Sequence, residues 1–191
     1  MEDASVHDLA PITALGGTAP RIDTVAGATL TEVPSVALAS VTTRLGKEKP
    51  AATALKKLIG ADAPAPRHFA SGTLTAFWMG PDQVMLEAPF DTHEDLAVQA
   101  KAVVQDSASV TEQTDGWTRF DLSGTGLLAV MELLCPINAP AMPVGGAERT
   151  SIHHLGCFVL RRAEDHFSIY GPRASAGSLH HALHTAMVSA L

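Results

Sequence analysis

The stretch DGWTRFDLSGTGLLAVMELLCPIN, Asp115 to Asn138, decides the fold. It reads as a strand, a glycine turn and an apolar helix, and Gly124-Thr125-Gly126-Leu127-Leu128-Ala129 matches the G-x-G-x-x-G/A spacing of a dinucleotide-binding turn. Taken alone, that match would make it the first unit of a parallel, doubly wound sheet. The strand argues otherwise. The first strand of such a sheet is buried on both faces and continuously apolar, whereas here Trp117, Arg119 and Asp121 share one face and leave Thr118, Phe120 and Leu122 for a core. One side of this strand is therefore wet or interfacial. The fingerprint also wants an acid about twenty residues past the glycines, at the end of a second strand. Glu148 is near that distance but falls in a Pro/Gly-rich connection. Gly124 and Gly126 are expected to let a helix pack close to its strand rather than to cradle a phosphate.

Upstream, VPSVALASVTTRLG (33–46) reads as a strand, and PAATALKKLIG (50–60) as a short helix with Leu55, Leu58 and Ile59 on one face and Gly60 as its C-terminal cap. Two apolar runs flank Gly80-Pro81-Asp82-Gln83, a hairpin signal. In DTHEDLAVQAKAVVQ (91–105), Thr92 is an expected cap, and Leu96, Ala100, Val103 and Val104 form an apolar stripe. Downstream, TSIHHLGCFVLRR (150–162) reads as one strand that turns at Ala163-Glu164-Asp165 into HFSIYGP. The last helix follows, with Leu179, Ala182, Leu183, Ala186 and Met187 on one face. The hairpins and final helices of the two parts lie about 83 positions apart, Asp82 matching Asp165 and Thr92 matching Ser175. The expected fold class is α+β, with duplicated β-α-β-β-α halves at about 31–108 and 109–191, mainly antiparallel sheet, in a single domain. Residues 1–30, rich in Ala, Thr, Gly and Pro, are expected to be an N-terminal arm, flexible or ordered by a partner.

The chain has 191 residues, 46% of them hydrophobic, and thirteen Lys plus Arg against twenty Asp plus Glu give a formal charge of -7. That balance repels nucleic acid and anionic lipid surfaces. No run approaches eighteen apolar residues, and MEDASVHDLA lacks the apolar core of a secretory signal, so a soluble cytoplasmic protein is expected. Cys135 and Cys157 sit among apolar residues without metal-finger spacing and read as buried reduced thiols.

His180 and His184, spaced i, i+4 on the last helix beside its polar face, could hold a metal only with a third ligand, for which His153 and His154 are the sole nominees. These two lie in an alternating strand, so one of them should face inward and be satisfied locally. Lys47 and Lys49 lack the framing residues of a phosphate loop and read as a solvated turn, and no G-x-S-x-G elbow is present. Trp78 and Trp117 read as hairpin and strand packing residues. No catalytic, cofactor-binding or metal-binding residue is assigned.

Three stretches carry a resemblance: GTLTAFWMGPDQVMLEAP (72–89), VTEQTDGWTRFDLSGTGLLAVMELLCPIN (110–138) and GGAERTSIHHLGCFVLRRAEDHFSIYGPRASAGSLHHALHTAM (145–187). A Trp followed by G-P-D-Q at a hairpin, an L-S-G turn opening a helix that ends in L-C-P-I-N, and G-x-x-x-R-T before paired strands together resemble the gamma subunit of heterotetrameric sarcosine oxidase. The likeness runs from about Val33 to the end of the chain. That family in turn resembles the folate-binding domain of glycine-cleavage aminomethyltransferases, a duplicated α+β fold.

The resemblance implies a non-catalytic subunit of a flavoprotein complex that demethylates sarcosine to glycine with hydrogen peroxide, the methyl group leaving as methylene-tetrahydrofolate or formaldehyde. It implies alpha, beta and delta subunits as partners and places FAD, FMN, NAD, zinc and tetrahydrofolate in them, with none in this chain. Aminomethyltransferases carry paired aspartates in the strand after the G-x-x-x-[YR]-T segment, whereas SIHHLGCFVLRR (151–162) has no acid. Asn138 stands where an Asp is common in the gamma family. These departures leave open a complex acting on another N-methyl amino acid, such as dimethylglycine or N-methylglutamate, and a stand-alone folate-binding one-carbon protein.

Overall fold

Strand periodicity and the placement of glycines build two antiparallel sheets in the computed structural model, which describes residues 10–191. In chain order the elements are β1 (Ile22–Val25), β2 (Ala28–Val33), β3 (Val36–Thr43), α1 (Glu48–Ile59), β4 (Phe69–Ser71), β5 (Thr75–Gly80), β6 (Gln83–Pro89), α2 (Phe90–His93), α3 (Leu96–Val104), β7 (Ala108–Glu112), β8 (Trp117–Gly124), α4 (Leu127–Leu134), β9 (Ala147–Ile152), β10 (Leu155–Ala163), β11 (His166–Pro172) and α5 (Ala176–Ala190). One sheet has the order β1-β2-β8-β11-β10-β9, the other β4-β5-β6-β3-β7.

Alternation assigns each strand face to a layer. In the five-stranded sheet Ala37, Ala39, Val41, Val84 and Leu86 pack with Leu55 and Ile59 of α1 and Leu96, Ala100 and Val104 of α3. In the six-stranded sheet Leu30, Phe120, Leu122, Val159 and Ile169 pack with Val130 and Met131 of α4 and Leu179, Leu183 and Met187 of α5. The remaining faces meet each other through Val36, Leu38, Phe77, Met85, Phe158, Leu160 and Tyr170. The result is helices, sheet, sheet, helices, with the two sheets joined along a seam.

The hairpins β5–β6 and β10–β11 share an irregularity. Pairing shifts between Trp78 and Gly80 in the first and between Arg161 and Ala163 in the second. Those positions are 83 residues apart, the interval read from the sequence.

Several expectations are corrected. The boundary drawn at residue 30 falls inside β2: Ile22–Val33 is a hairpin closed by Ala26 and Gly27, both with positive φ, and β2 pairs with β8. Ahead of it, the buried carboxylate of Glu32 accepts the backbone N–H groups of Leu15 (3.0 Å) and Arg21 (3.2 Å). The first nine residues of the expected arm lie outside the described residues. The boundary between the halves, drawn at about residue 109, falls inside β7, which completes the five-stranded sheet beside β3, and a 3₁₀ turn at Thr114–Gly116 separates it from β8. Thr92 does not cap α3; it lies in α2, and Asp95 precedes α3 instead.

Candidate functional site

The glycine turn is fixed by packing. Gly124 (φ +112°) lies where a Cβ would strike the carbonyl oxygen of Gly27, and Gly126 (φ +75°) where one would strike the side chain of Leu191. β8 lies between β2 and β11, antiparallel to both. The turn therefore brings a strand under a hairpin and a helix under a leucine, by the freedom glycine alone has.

The histidines part company. His153 and His154, expected within one strand, are the two-residue turn between β9 and β10, both exposed, with φ of 49° and 67°. Paired positive φ values are what a primed hairpin turn demands, and this chain meets the demand with His-His rather than Asn-Gly. His180, expected beside the polar face, is buried, and its Nε2 lies 2.7 Å from Asp23 Oδ2 of β1. Asp23 is held below the usual carboxylate range, first by the hydrogen bond from Arg21 and also by that from His180. His184 stacks on His180, with ring centroids 6.1 Å apart. Among the described residues no group of three or more His, Cys, Asp and Glu side chains could hold a metal.

Cys135 and Cys157 are buried and free, in the core beneath α4 and α5, and burial pushes the Cys157 thiol up to about 11. Lys47 pairs with Asp106 at 3.3 Å on the surface. Glu148 pairs with Arg67. Trp78 and Trp117 are both half-buried, and Trp117 packs against the seam, its ring 5.3 Å from that of Phe158.

The polar face of β8 leads to an extended charged cluster under the surface. Arg119 holds Asp121 with two parallel hydrogen bonds (2.7 and 2.6 Å) and gives a third to Glu87 of β6 (2.7 Å). Glu87 also accepts from Arg162 of β10 (2.6 Å) and from the Tyr170 hydroxyl of β11 (2.6 Å). Arg162 reaches Ser168 at 3.0 Å, and His166 Nε2 lies 3.0 Å from Asp121. The side chains of Glu87, Arg119, Asp121 and Arg162 are only 10–16% exposed. Burial alone would raise the Asp121 pKa, but hydrogen bonds from His166 and Arg119 outweigh it and hold the carboxyl well below its ordinary value. Burial raises the Tyr170 phenol, with Glu87 adding to the effect, so the phenol stays neutral and donates.

Two carboxylates face two guanidinium groups, so the cluster is neutral. Each carboxylate oxygen of Glu87 and of Asp121 accepts at least one hydrogen bond. The arrangement is suited to locking the register of the sheets.

Beside this cluster, where β2 passes into β3, a cleft of about 430 Å³ is bounded by Pro11–Ala14, Val33–Val36, Phe90, the Thr114–Arg119 stretch and Arg173. The fold is similar to that of a heterotetrameric sarcosine oxidase chain. A chain of that enzyme from Corynebacterium sp. U-96, solved with pyrrole 2-carboxylate, superposes with a TM-score of 0.71 at 21% identity, covering 85% of this chain and 84% of that one. The glycine cleavage system aminomethyltransferase T from Bartonella henselae superposes with a TM-score of 0.64 at 16% identity. This second match covers 84% of the present chain but only 46% of that one, so the present chain spans about half the length of the transferase. No family model and no curated protein matches the sequence. At these identities the likeness establishes the fold: an α+β chain with two antiparallel sheets, similar to the aminomethyltransferase fold.

Of the groups that build the seam cluster, Arg119 and Asp121 were marked by alternation in β8. Glu87, Arg162, His166 and Tyr170 carried no local signal, since the bonds that join them into the cluster through Glu87 and Asp121 span 32–83 residues.

Proposed function

We propose that this chain is a non-catalytic, gamma-type subunit of a heterotetrameric sarcosine-oxidising complex, contributing shape and contact surface while the reacting groups reside in its partners. The observation that carries this reading is the near-equal coverage of the two chains in the sarcosine oxidase comparison: the likeness spans 85% of this chain and 84% of that one. The saturated seam cluster supports it, because its best-formed acids are committed to arginines and a tyrosine. The shared irregularity of the two hairpins, 83 residues apart, supports an internally duplicated fold. In this reading alpha, beta and delta subunits hold FAD, FMN, NAD, zinc and tetrahydrofolate, and the complex works in the cytoplasm on sarcosine or a close N-methyl amino acid.

Co-expression with candidate flavoprotein subunits tests it. The chain purified alone should be colourless and give no sarcosine-dependent peroxide, and with the other subunits it should elute in one yellow complex. Assembly of a fully active complex without it, or turnover by the lone chain, overturns the reading. The likeness to the aminomethyltransferase favours one rival, a stand-alone folate-binding protein. Saturable tetrahydrofolate binding by the isolated chain in calorimetry would select that rival.

A further inference from the structure

The cleft beside the seam has its own chemistry, independent of any subunit role. Its volume of about 430 Å³ lies within the range of roughly 300–1,000 Å³ common for small-molecule sites. Val33, Val36, Phe90 and Trp117 supply apolar and flat aromatic wall, and both aromatics are half-buried, so each keeps an open surface. The indole N–H of Trp117 is already given to Gln113 at 3.1 Å, which fixes the ring.

Two cations line the cleft, and they differ. Arg119 gives three of its five N–H groups to Glu87 and Asp121, whose carboxylates balance its charge. Arg173 has five N–H donors to place. Among the described residues it makes one hydrogen bond, Nη2 to the Ile12 carbonyl at 3.2 Å, and one loose contact, Nε to Asp115 at 3.9 Å. Among the described residues Asp115 is the only acid in the lining, and its side chain is 96% exposed. Arg173 is 32% exposed, and no partner of its Nη1 is present among the described residues. A half-sheltered guanidinium at the edge of an apolar, aromatic cleft matches a single carboxylate, which can take two of its donors at once. A second negative charge on the ligand would meet Arg119, whose charge is already balanced by Glu87 and Asp121.

We propose that this cleft binds a small organic monocarboxylate with a flat apolar body, the acid on Arg173 and the body against Trp117 and Phe90. Because Arg173 also holds Ile12, occupancy would tie the segment before β1 more firmly to the seam.

The chain contains two tryptophans, Trp78 and Trp117. In Trp78→Phe, Trp117 is the sole indole reporter, read by fluorescence quenching with 2-naphthoate and with its uncharged isostere 2-naphthamide. Naphthoate should quench saturably and bind about tenfold or more tightly than the amide, the scale of a charge-assisted pair. Arg173→Gln should erase that preference while leaving amide binding in place. Since Arg173→Gln could also free Ile12, a second variant is needed: Ser35→Phe, which fills the cleft from the exposed β2–β3 link without touching Arg173, should abolish binding of both. The proposal is overturned by unsaturable quenching, by equal affinity for acid and amide, by equal weakening of both in Arg173→Gln, or by unchanged affinity in Ser35→Phe.

Discussion

The seam between the sheets is built in two chemistries. At one part Phe77 meets Phe158 and Tyr170, ring centroids 5.5 and 5.0 Å apart, in contacts that are approximate in direction and tolerant of small shifts. At the other, Glu87 gathers Arg119, Arg162 and Tyr170 in bonds that fail if one strand slips by a residue. Tyr170 belongs to both, its ring in the aromatic group and its hydroxyl in the ionic one. The contrast teaches that the aromatics supply adhesion, whereas the charges supply registration and would be costly only if broken singly.

The largest effect should come from unbalancing the ionic part. Glu87→Met takes from Arg162 its carboxylate partner and from Arg119 one of two, and should lower unfolding free energy by about 3–5 kcal/mol, read by urea titration. Removing the set together, as Glu87→Met, Arg162→Leu and Tyr170→Phe, should recover most of that loss, because Arg119 keeps Asp121. If the triple variant is as unstable as the single one, registration is the wrong account of this cluster. On the aromatic side Phe77→Leu keeps an apolar filling and should cost about 1–2 kcal/mol in the same titration. A loss equal to that of Glu87→Met would erase the distinction.

Acid separates the two parts further. The folded-state pKa of Asp121 is depressed, so its contribution is complete above the unfolded carboxylate pKa of about 3.9 and is lost as pH falls through the lower folded value. Asp121→Asn should therefore flatten the decline of the urea midpoint below about pH 4, and Phe77→Leu should leave that slope alone. The smallest effect lies off the seam. Replacing His153 by Asn and His154 by Gly suits the positive φ values of that turn and should raise stability by about 0.5–1 kcal/mol, adding to the seam variants without coupling to them.

How much was legible in the sequence follows the range of the forces involved. The alternation of β8, the α5 stripe and the Gly60 cap are local, and each stands in the structure as read. The β1–β2 hairpin escaped notice because IDTV and ATLTEV are short and half polar, and pairing of β2 with β8 anchors them. His153-His154 misled because neither residue is a common hairpin breaker, so a turn was hidden inside one apparent strand. Of the seam cluster, alternation exposed Arg119 and Asp121, while the acid that joins both arginines, Glu87, sat in an unremarked position of VMLEAP. The cleft left no trace in the sequence, because it is bounded by segments as far apart as Pro11 and Arg173.

The two thiols under α4 and α5 give the molecule a clock. Cys157, at 0% exposure, cannot meet an alkylating reagent while the helices lie on their sheet. The speed at which iodoacetamide finds Cys157 under native conditions thus times the lifting of that outer layer, and a partner seated upon those helices would slow it.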